Sequence, residues 1–239
     1  MSVFRFKEFS VRNETSAMKL GTDSVVLGAA MTLRPSDRFL LDVGTGTGVV
    51  ALLAAQRLSE MGADFRIEGI DIDGPSVEEA SFNFSASPWS VSLSSAEKPL
   101  SAYEPGGKID CIFSNPPYYD ESLKNPDARL SAARHTSSLS YRELCSFAAD
   151  HLSAEGRLSM ILPSDCRREL LRTAASFGLK PFRIVSVRTS SRKKPLRMVA
   201  EFCRERFFAS TAEEELDLQG PNCTSNYLLE RNKTLLPIG

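Results

Sequence analysis

Five cysteines are spread through 239 residues, and only two histidines accompany them. Cys111, Cys145, Cys166, Cys203 and Cys223 include no C-x-x-C pair, and an odd number cannot complete a disulfide framework. His135 and His151 are not at the three- or four-residue spacing that a helix uses to grip one metal. Reduced, mostly buried thiols and no metal are therefore expected. Long apolar runs are missing as well, so no membrane span is expected. The opening Met1-Ser2-Val3-Phe4-Arg5-Phe6 lacks the apolar core of a signal peptide, which points to the cytoplasm. Excess positive charge is also absent: 29 Lys and Arg stand against 30 Asp and Glu, a net charge of -1. Any contact with nucleic acid must then come from local basic patches. There is no internal repeat and no low-complexity linker, and a monomer is expected.

What is present is an ordinary globular composition, 42% hydrophobic and 25% charged, in a chain long enough for one large domain. Short apolar runs at 38–43, 66–71, 91–96, 108–113, 157–162, 182–188 and 198–203 read as strands. Helical stretches at 49–61, 75–84, 141–152 and 167–177 lie between them. Repeated βαβ units predict an α/β fold, a doubly wound, Rossmann-like and mostly parallel seven-stranded sheet. The last two strands, joined by a short turn, predict an antiparallel C-terminal edge hairpin. Three segments follow: an N-terminal extension over 1–35, a central domain over 36–205, and a tail over 206–239 packed on or beside it.

The strand at 38–43 runs into Asp42-Val43-Gly44-Thr45-Gly46-Thr47-Gly48 and then into a helix. Ligands of open α/β sheets bind at such carboxyl strand ends. A dinucleotide fold would favour G-x-G-x-x-G, with its third glycine one residue later. The pattern here resembles the adenosylmethionine loop of class I methyltransferases, which implies that Asp42, Gly44, Thr45, Gly46 and Gly48 surround that cofactor. The next strand ends at Asp71 with Ile72 beside it, where an acid can take ribose hydroxyls; this suits a nucleoside ligand without choosing between NAD and adenosylmethionine. Asp73 reads as the cap of the helix that Pro75 opens. Glu97, closing the third strand, is either the partner of an adenine amino group or a solvated surface acid.

Asn115-Pro116-Pro117-Tyr118 follows the fourth strand and is the most specific signal in the chain. It resembles the N-P-P-Y signature of amino-methyltransferases. A planar amino group donates its lone pair into a π system and is a poor nucleophile. The Asn115 oxygen and the Pro116 carbonyl can each accept one of its N–H groups and direct the lone pair toward a methyl donor. Pro116 and Pro117 stiffen the turn, and Tyr118 offers a flat face for stacking.

The N-terminal stretch from Ser16 to Gly28, containing Met18, Lys19, Thr22 and Asp23, is similar to the opening of the bacterial valine-tRNA adenine methyltransferases. The likeness continues through 42–48, Ser87-Pro88-Trp89, 115–119, Ala133-Arg134-His135 and 195–202, covering most of residues 3–205. It implies S-adenosylmethionine as cofactor, with Lys19, Thr22 and Asn115 at the cofactor site, and the amino group of adenine 37 in a tRNA anticodon loop as acceptor. Two departures stand out: Glu97 occupies a position where the family has aspartate, and the tail lacks the family's aromatic residues.

Two basic patches suit RNA phosphates. Lys124, Arg129, Arg134 and His135 follow the tetrapeptide. Arg188, Arg192, Lys193, Lys194 and Arg197 sit around the last strand-to-strand turn. The same tetrapeptide also fits a protein glutamine methyltransferase acting on release factors, or a guanine amino-methyltransferase of ribosomal RNA. An NAD-dependent oxidoreductase and a non-enzymatic RNA-binding protein fit the glycine loop and the tetrapeptide poorly.

Overall fold

The computed structural model describes residues 2–116 and 139–219. Pro117, Tyr118, Lys124, Arg129, Arg134, His135 and Cys223 lie outside the described residues.

The apolar runs become strands of one sheet: β3 (Phe39–Val43), β4 (Arg66–Asp71), β5 (Leu93–Glu97), β6 (Ile109–Ser114), β7 (Leu152–Pro163), β8 (Leu179–Arg188) and β9 (Arg197–Arg204). A small antiparallel hairpin, β1 (Val3–Arg5) with β2 (Ser10–Arg12), precedes them. An eighth strand, β10 (Ala212–Asp217), joins the large sheet, whose order is β10-β8-β9-β7-β6-β3-β4-β5. The mostly parallel, Rossmann-like sheet and the antiparallel hairpin agree with expectation. The strand count does not: the described sheet has eight strands rather than seven. The hairpin also folds inward, with β9 inserted between β7 and β8 and antiparallel to both. The edge belongs to β10, which runs parallel to β8.

Its sequence hides β10. Ala212-Glu213-Glu214-Glu215-Leu216-Asp217 has weak strand propensity. Arginines of neighbouring elements neutralise it: Arg183 Nε lies 2.7 Å from Glu214, Arg188 Nε 2.8 Å from Asp217, and Arg167 and Arg188 also hold Glu213 and Glu215. Strand β7 starts at Leu152, five residues earlier than its apolar run, and the pairing with β6 shifts register between Ile109 and Cys111. Gly156 permits that close passage, because a Cβ there would stand 2.7 Å from the Ile109 carbonyl oxygen.

Side chains alternate along each strand, so the sheet buries both faces. Leu40, Ile67 and Phe113 pack under α1 (Thr22–Ala30), α2 (Val49–Glu60) and α3 (Gly74–Ser85). Leu41, Ile70 and Ile112 pack under α4 (Tyr141–His151) and α5 (Arg167–Ser176). Helix α1 lies within the stretch that reads as an N-terminal extension. Buried arginines clasp its C-terminal carbonyls: Arg57 donates to Gly28 and Met31, Arg183 to Ala30, and Arg157 to Thr32 just beyond. Cys111, Cys145 and Cys203 are free and buried, and burial pushes the Cys111 and Cys145 thiols up to about 12. Among the described residues no helix is long and apolar enough to cross a membrane, and no cluster of His, Cys, Asp and Glu could hold a metal.

Candidate active site

Strands β3, β4, β5, β6 and β7 run parallel, and β8 runs with them because both β7 and β8 flank antiparallel β9. The turns after β3, β4, β6 and β8 therefore emerge along one edge of the sheet. A cavity of about 570 Å³ opens there, lined by Met18, Gly44, Asp71, Ile72 and Asn115 among others.

The glycine loop forms its floor. Gly46 (φ 53°) and Gly48 (φ 78°) lie in the left-handed region, where a side chain would be strained. Only Gly44 of the three lines the cavity. A Cβ on Gly48 would stand 2.4 Å from Phe84, and one on Gly46 would stand 3.4 Å from Ser16. At these two positions the missing Cβ makes room for protein side chains. Asp42 sits beneath the loop, 1% exposed, and its Oδ2 accepts the Thr45 hydroxyl at 2.8 Å. Burial, with the Asp71 charge assisting, raises its carboxyl to about 7 against that bond. Asp42 and Thr45 brace the loop from below; Thr45 is buried as well.

Asp71 stands at the end of β4. One of its oxygens accepts the Gly46 N–H at 2.9 Å and the other the Asp73 N–H at 3.0 Å. Each carboxylate oxygen has a second lone pair, so the fixed carboxylate can still receive two hydroxyls. Ile72, 55% exposed, turns an apolar face into the same cavity, and Leu100 and Leu139 add further apolar lining. An acid beside apolar walls suits the ribose and base of a nucleoside. Asp73 caps α3 by accepting the Ser76 N–H, as expected. Glu97 pairs in register with Asp71 on β5, but its carboxylate folds against Gly74, and its neighbour Lys98 lines the cavity instead.

A clamp that sequence reasoning missed draws the N-terminal segment over this floor. Glu79, on the inner face of α3, accepts N–H groups from Glu14 (2.6 Å), Thr15 (3.1 Å) and Ser16 (2.9 Å). Burial alone would raise its carboxyl, but those three bonds and the Lys19 charge outweigh it and leave the group below its ordinary value. Asn83 donates to the Arg12 and Thr47 carbonyls and accepts the Arg12 N–H. The Ser76 hydroxyl accepts the Ala17 N–H. The only trace in the sequence is polar residues at 76, 79 and 83, spaced to share a helix face. Lys19 and Thr22 are exposed; Lys19 donates to the Glu14 carbonyl and braces the segment rather than the cavity.

Asn115, half-buried, and buried Pro116 follow β6 at the cavity mouth. The Ser114 hydroxyl donates to the Val43 carbonyl at 2.7 Å and ties this turn to the glycine loop. Asn115 Nδ2 donates to Ser24 Oγ at 3.0 Å.

The comparisons with known proteins fit this layout. The profile of the methyltransferase small domain family matches residues 16–177. The chain belongs to that family. Its relatives include a tRNA1(Val) (adenine(37)-N6)-methyltransferase of Bacteroides thetaiotaomicron, 38% identical over 199 residues, with 83% of this chain and 82% of the relative covered. Relatives of the same name come from Porphyromonas gingivalis (36% identical, 84% and 80% covered) and Flavobacterium psychrophilum (35% identical, 85% and 86% covered). Among solved structures, a predicted O-methyltransferase of Agrobacterium tumefaciens aligns with a TM-score of 0.64 at 15% identity, over 89% of this chain and 96% of its own. The ribosomal protein L11 methylase of Lactobacillus delbrueckii aligns with a TM-score of 0.51 at 18% identity, over 76% and 77%. At those identities the structural likeness concerns the fold alone.

The basic turn of this methyltransferase divides in two. Arg188 is held by Glu215 and Asp217, and Arg197 Nε lies 2.8 Å from Asp23 on α1. Arg192, Lys193 and Lys194 are exposed on the turn between them, on the same sheet edge as Asn115.

Proposed function

We propose that this chain transfers a methyl group from S-adenosylmethionine to the exocyclic amino nitrogen of adenine 37 in a tRNA anticodon loop, that of a valine tRNA. The observation that carries this reading is Asn115 at the end of β6, lining the same cavity as Asp71 and Gly44, in a chain whose relatives bear that name. Asp71 would hold the cofactor ribose, with Ile72 against the base and Gly44 beneath. Bound there, the cofactor supplies an electrophilic sulfonium methyl. Asn115 Oδ1 and the Pro116 carbonyl accept the two amino hydrogens and hold the nitrogen for attack. This is positioning and electrostatics rather than strong base catalysis. Pro117 and Tyr118 complete the tetrapeptide, and Tyr118 stacks on the target base.

Arg192, Lys193 and Lys194 contact tRNA phosphates, as do Lys124, Arg129, Arg134 and His135. An anticodon loop suits a protein of balanced charge, because its bases can be splayed out without a separate RNA-binding module. Residues 1–35 cover the cofactor and residues 36–205 form the catalytic domain, whose sheet β10 extends. The enzyme works as a cytoplasmic monomer.

The test incubates purified protein with labelled cofactor and total tRNA from a strain lacking this activity, then identifies the modified nucleoside by mass spectrometry. N6-methyladenosine confined to a valine tRNA is expected. Asn115→Ala should lower turnover by about a hundredfold while substrate binding changes less. Methylation of release-factor glutamine or of ribosomal guanine, with tRNA untouched, would overturn the assignment.

A further inference from the structure

Helix α1 starts beside the cavity, just after Met18, which lines it. Its first turn carries two adjacent residues that reach different parts of the edge: Asp23 pairs with Arg197 at the foot of the basic turn, and Ser24 meets Asn115. Ser24 is 7% exposed, and its contact with Asn115 spans 91 residues of chain. Met18 Sδ lies 3.8 Å from the same Asn115 Nδ2.

An asparagine amide has a donor end and an acceptor end of nearly equal shape. The reaction tolerates one orientation only. An N–H of Asn115 aimed at the target amino group would set donor against donor. A serine hydroxyl alone cannot choose between the ends, since it both donates and accepts. The Met18 thioether can only accept. With both neighbours on the nitrogen side, reversing the amide would place the Asn115 oxygen against the sulfur lone pairs. The bottom of α1 is itself fixed, clasped by Arg57, Arg157 and Arg183. Ser24 is therefore held by a helix anchored at its far end.

We propose that Ser24, with Met18, is a positioning residue that sets the orientation of the Asn115 amide so that its oxygen faces the acceptor nitrogen. The inference rests on the role given to Asn115 above.

The test compares single-turnover methyl transfer at saturating cofactor and tRNA in Ser24→Ala, Ser24→Thr, Met18→Leu, Asn115→Ala and the double variant Ser24→Ala/Asn115→Ala. Adenosylhomocysteine affinity and tRNA affinity are measured alongside. Ser24→Ala should slow transfer about ten- to a hundredfold, with both affinities within about twofold of the parent. Ser24→Thr keeps the hydroxyl and should restore most of the rate. Met18→Leu removes the sulfur acceptor at an exposed position and should slow transfer several-fold. Added to Asn115→Ala, the serine change should cost little more, because the two act as one unit. A near-parental rate in Ser24→Ala with Asn115→Ala inactive would overturn the Ser24 role and leave the proposed function standing. So would a loss that threonine does not restore. Should Ser24→Ala fail to fold, a parental rate in Met18→Leu would overturn the orienting pair. Near-parental transfer by Asn115→Ala would remove both the inference and the catalytic reading beneath it.

Discussion

The two flanks of the catalytic edge are held by different kinds of interaction. On the cofactor flank, the segment 14–17 is fixed by bonds to buried acceptors: one carboxylate, Glu79, receives three backbone N–H groups, and the Ser76 hydroxyl receives a fourth. On the other flank, the basic turn is framed by more exposed ion pairs, Arg188 with Glu215 and Asp217, and Arg197 with Asp23. Buried charge-assisted bonds are costly to lose, because the orphaned groups cannot turn to water. Exposed ion pairs are screened by solvent and salt and contribute little. The flank expected to hold the small cofactor is thus preorganised, whereas the flank expected to meet RNA is adjustable and sensitive to salt.

The largest expected effect is on the buried clamp. Glu79→Ala leaves three N–H groups without their acceptor and should destabilise the fold by about 3 kcal/mol or more, read from denaturant unfolding. Adenosylhomocysteine binding should weaken in parallel, because the segment over Gly46 is released. A variant as stable as the parent would show that the two flanks do not differ as described.

Asp71→Ala should come next. Loss of the carboxylate that braces Gly46 and faces the cavity should weaken cofactor binding by about 1–3 kcal/mol in calorimetry, with a smaller effect on unfolding.

The third effect separates two carboxylates by pH. Glu79 has a lowered folded value, so its stabilisation is present above its unfolded value of 4.5 and is lost as pH falls below it. Asp42 is raised from 3.8 to about 7, so between those values the folded protein binds a proton that the unfolded chain has released. Stability therefore falls as pH rises through that window, by at most about 1.4 kcal/mol per pH unit. Asp42→Asn should flatten this decline and gain relative to the parent up to pH about 7. Parallel stability curves for the two proteins from acid to neutral pH would refute the assignment.

The smallest expected effect on the fold is on the exposed flank. Replacing Arg192, Lys193 and Lys194 with alanine should leave unfolding and cofactor affinity unchanged. The Michaelis constant for tRNA should rise, and the slope of log affinity against log salt should flatten by about 0.7 for each phosphate no longer neutralised. An unchanged slope would remove the turn from the RNA surface.

Much of this was readable along the chain, for reasons of range. Glycines at 44, 46 and 48 and the proline after Asn115 impose local backbone conformations, so the cofactor loop and the tetrapeptide could be recognised from a few consecutive residues. Alternation of apolar runs with helical stretches was enough for the class of sheet and for Asp71 and Asn115 at its carboxyl edge. Tertiary structure alone decided the rest, because it depends on partners far apart in sequence. That three consecutive glutamates form a strand follows from arginines on β8 and on the helix before it, not from their own propensity. That Glu79 organises the segment over the cofactor loop required a carboxylate to meet N–H groups 63 to 65 residues away. Lys19 reaches the nearer Glu14 carbonyl, and the Glu97 carboxylate lies against Gly74. Ser24 carries no local mark of a role. Its contact with Asn115 exists because α1, clamped at its far end by buried arginines, brings a hydroxyl and an amide together at the one edge where all the parallel strands end.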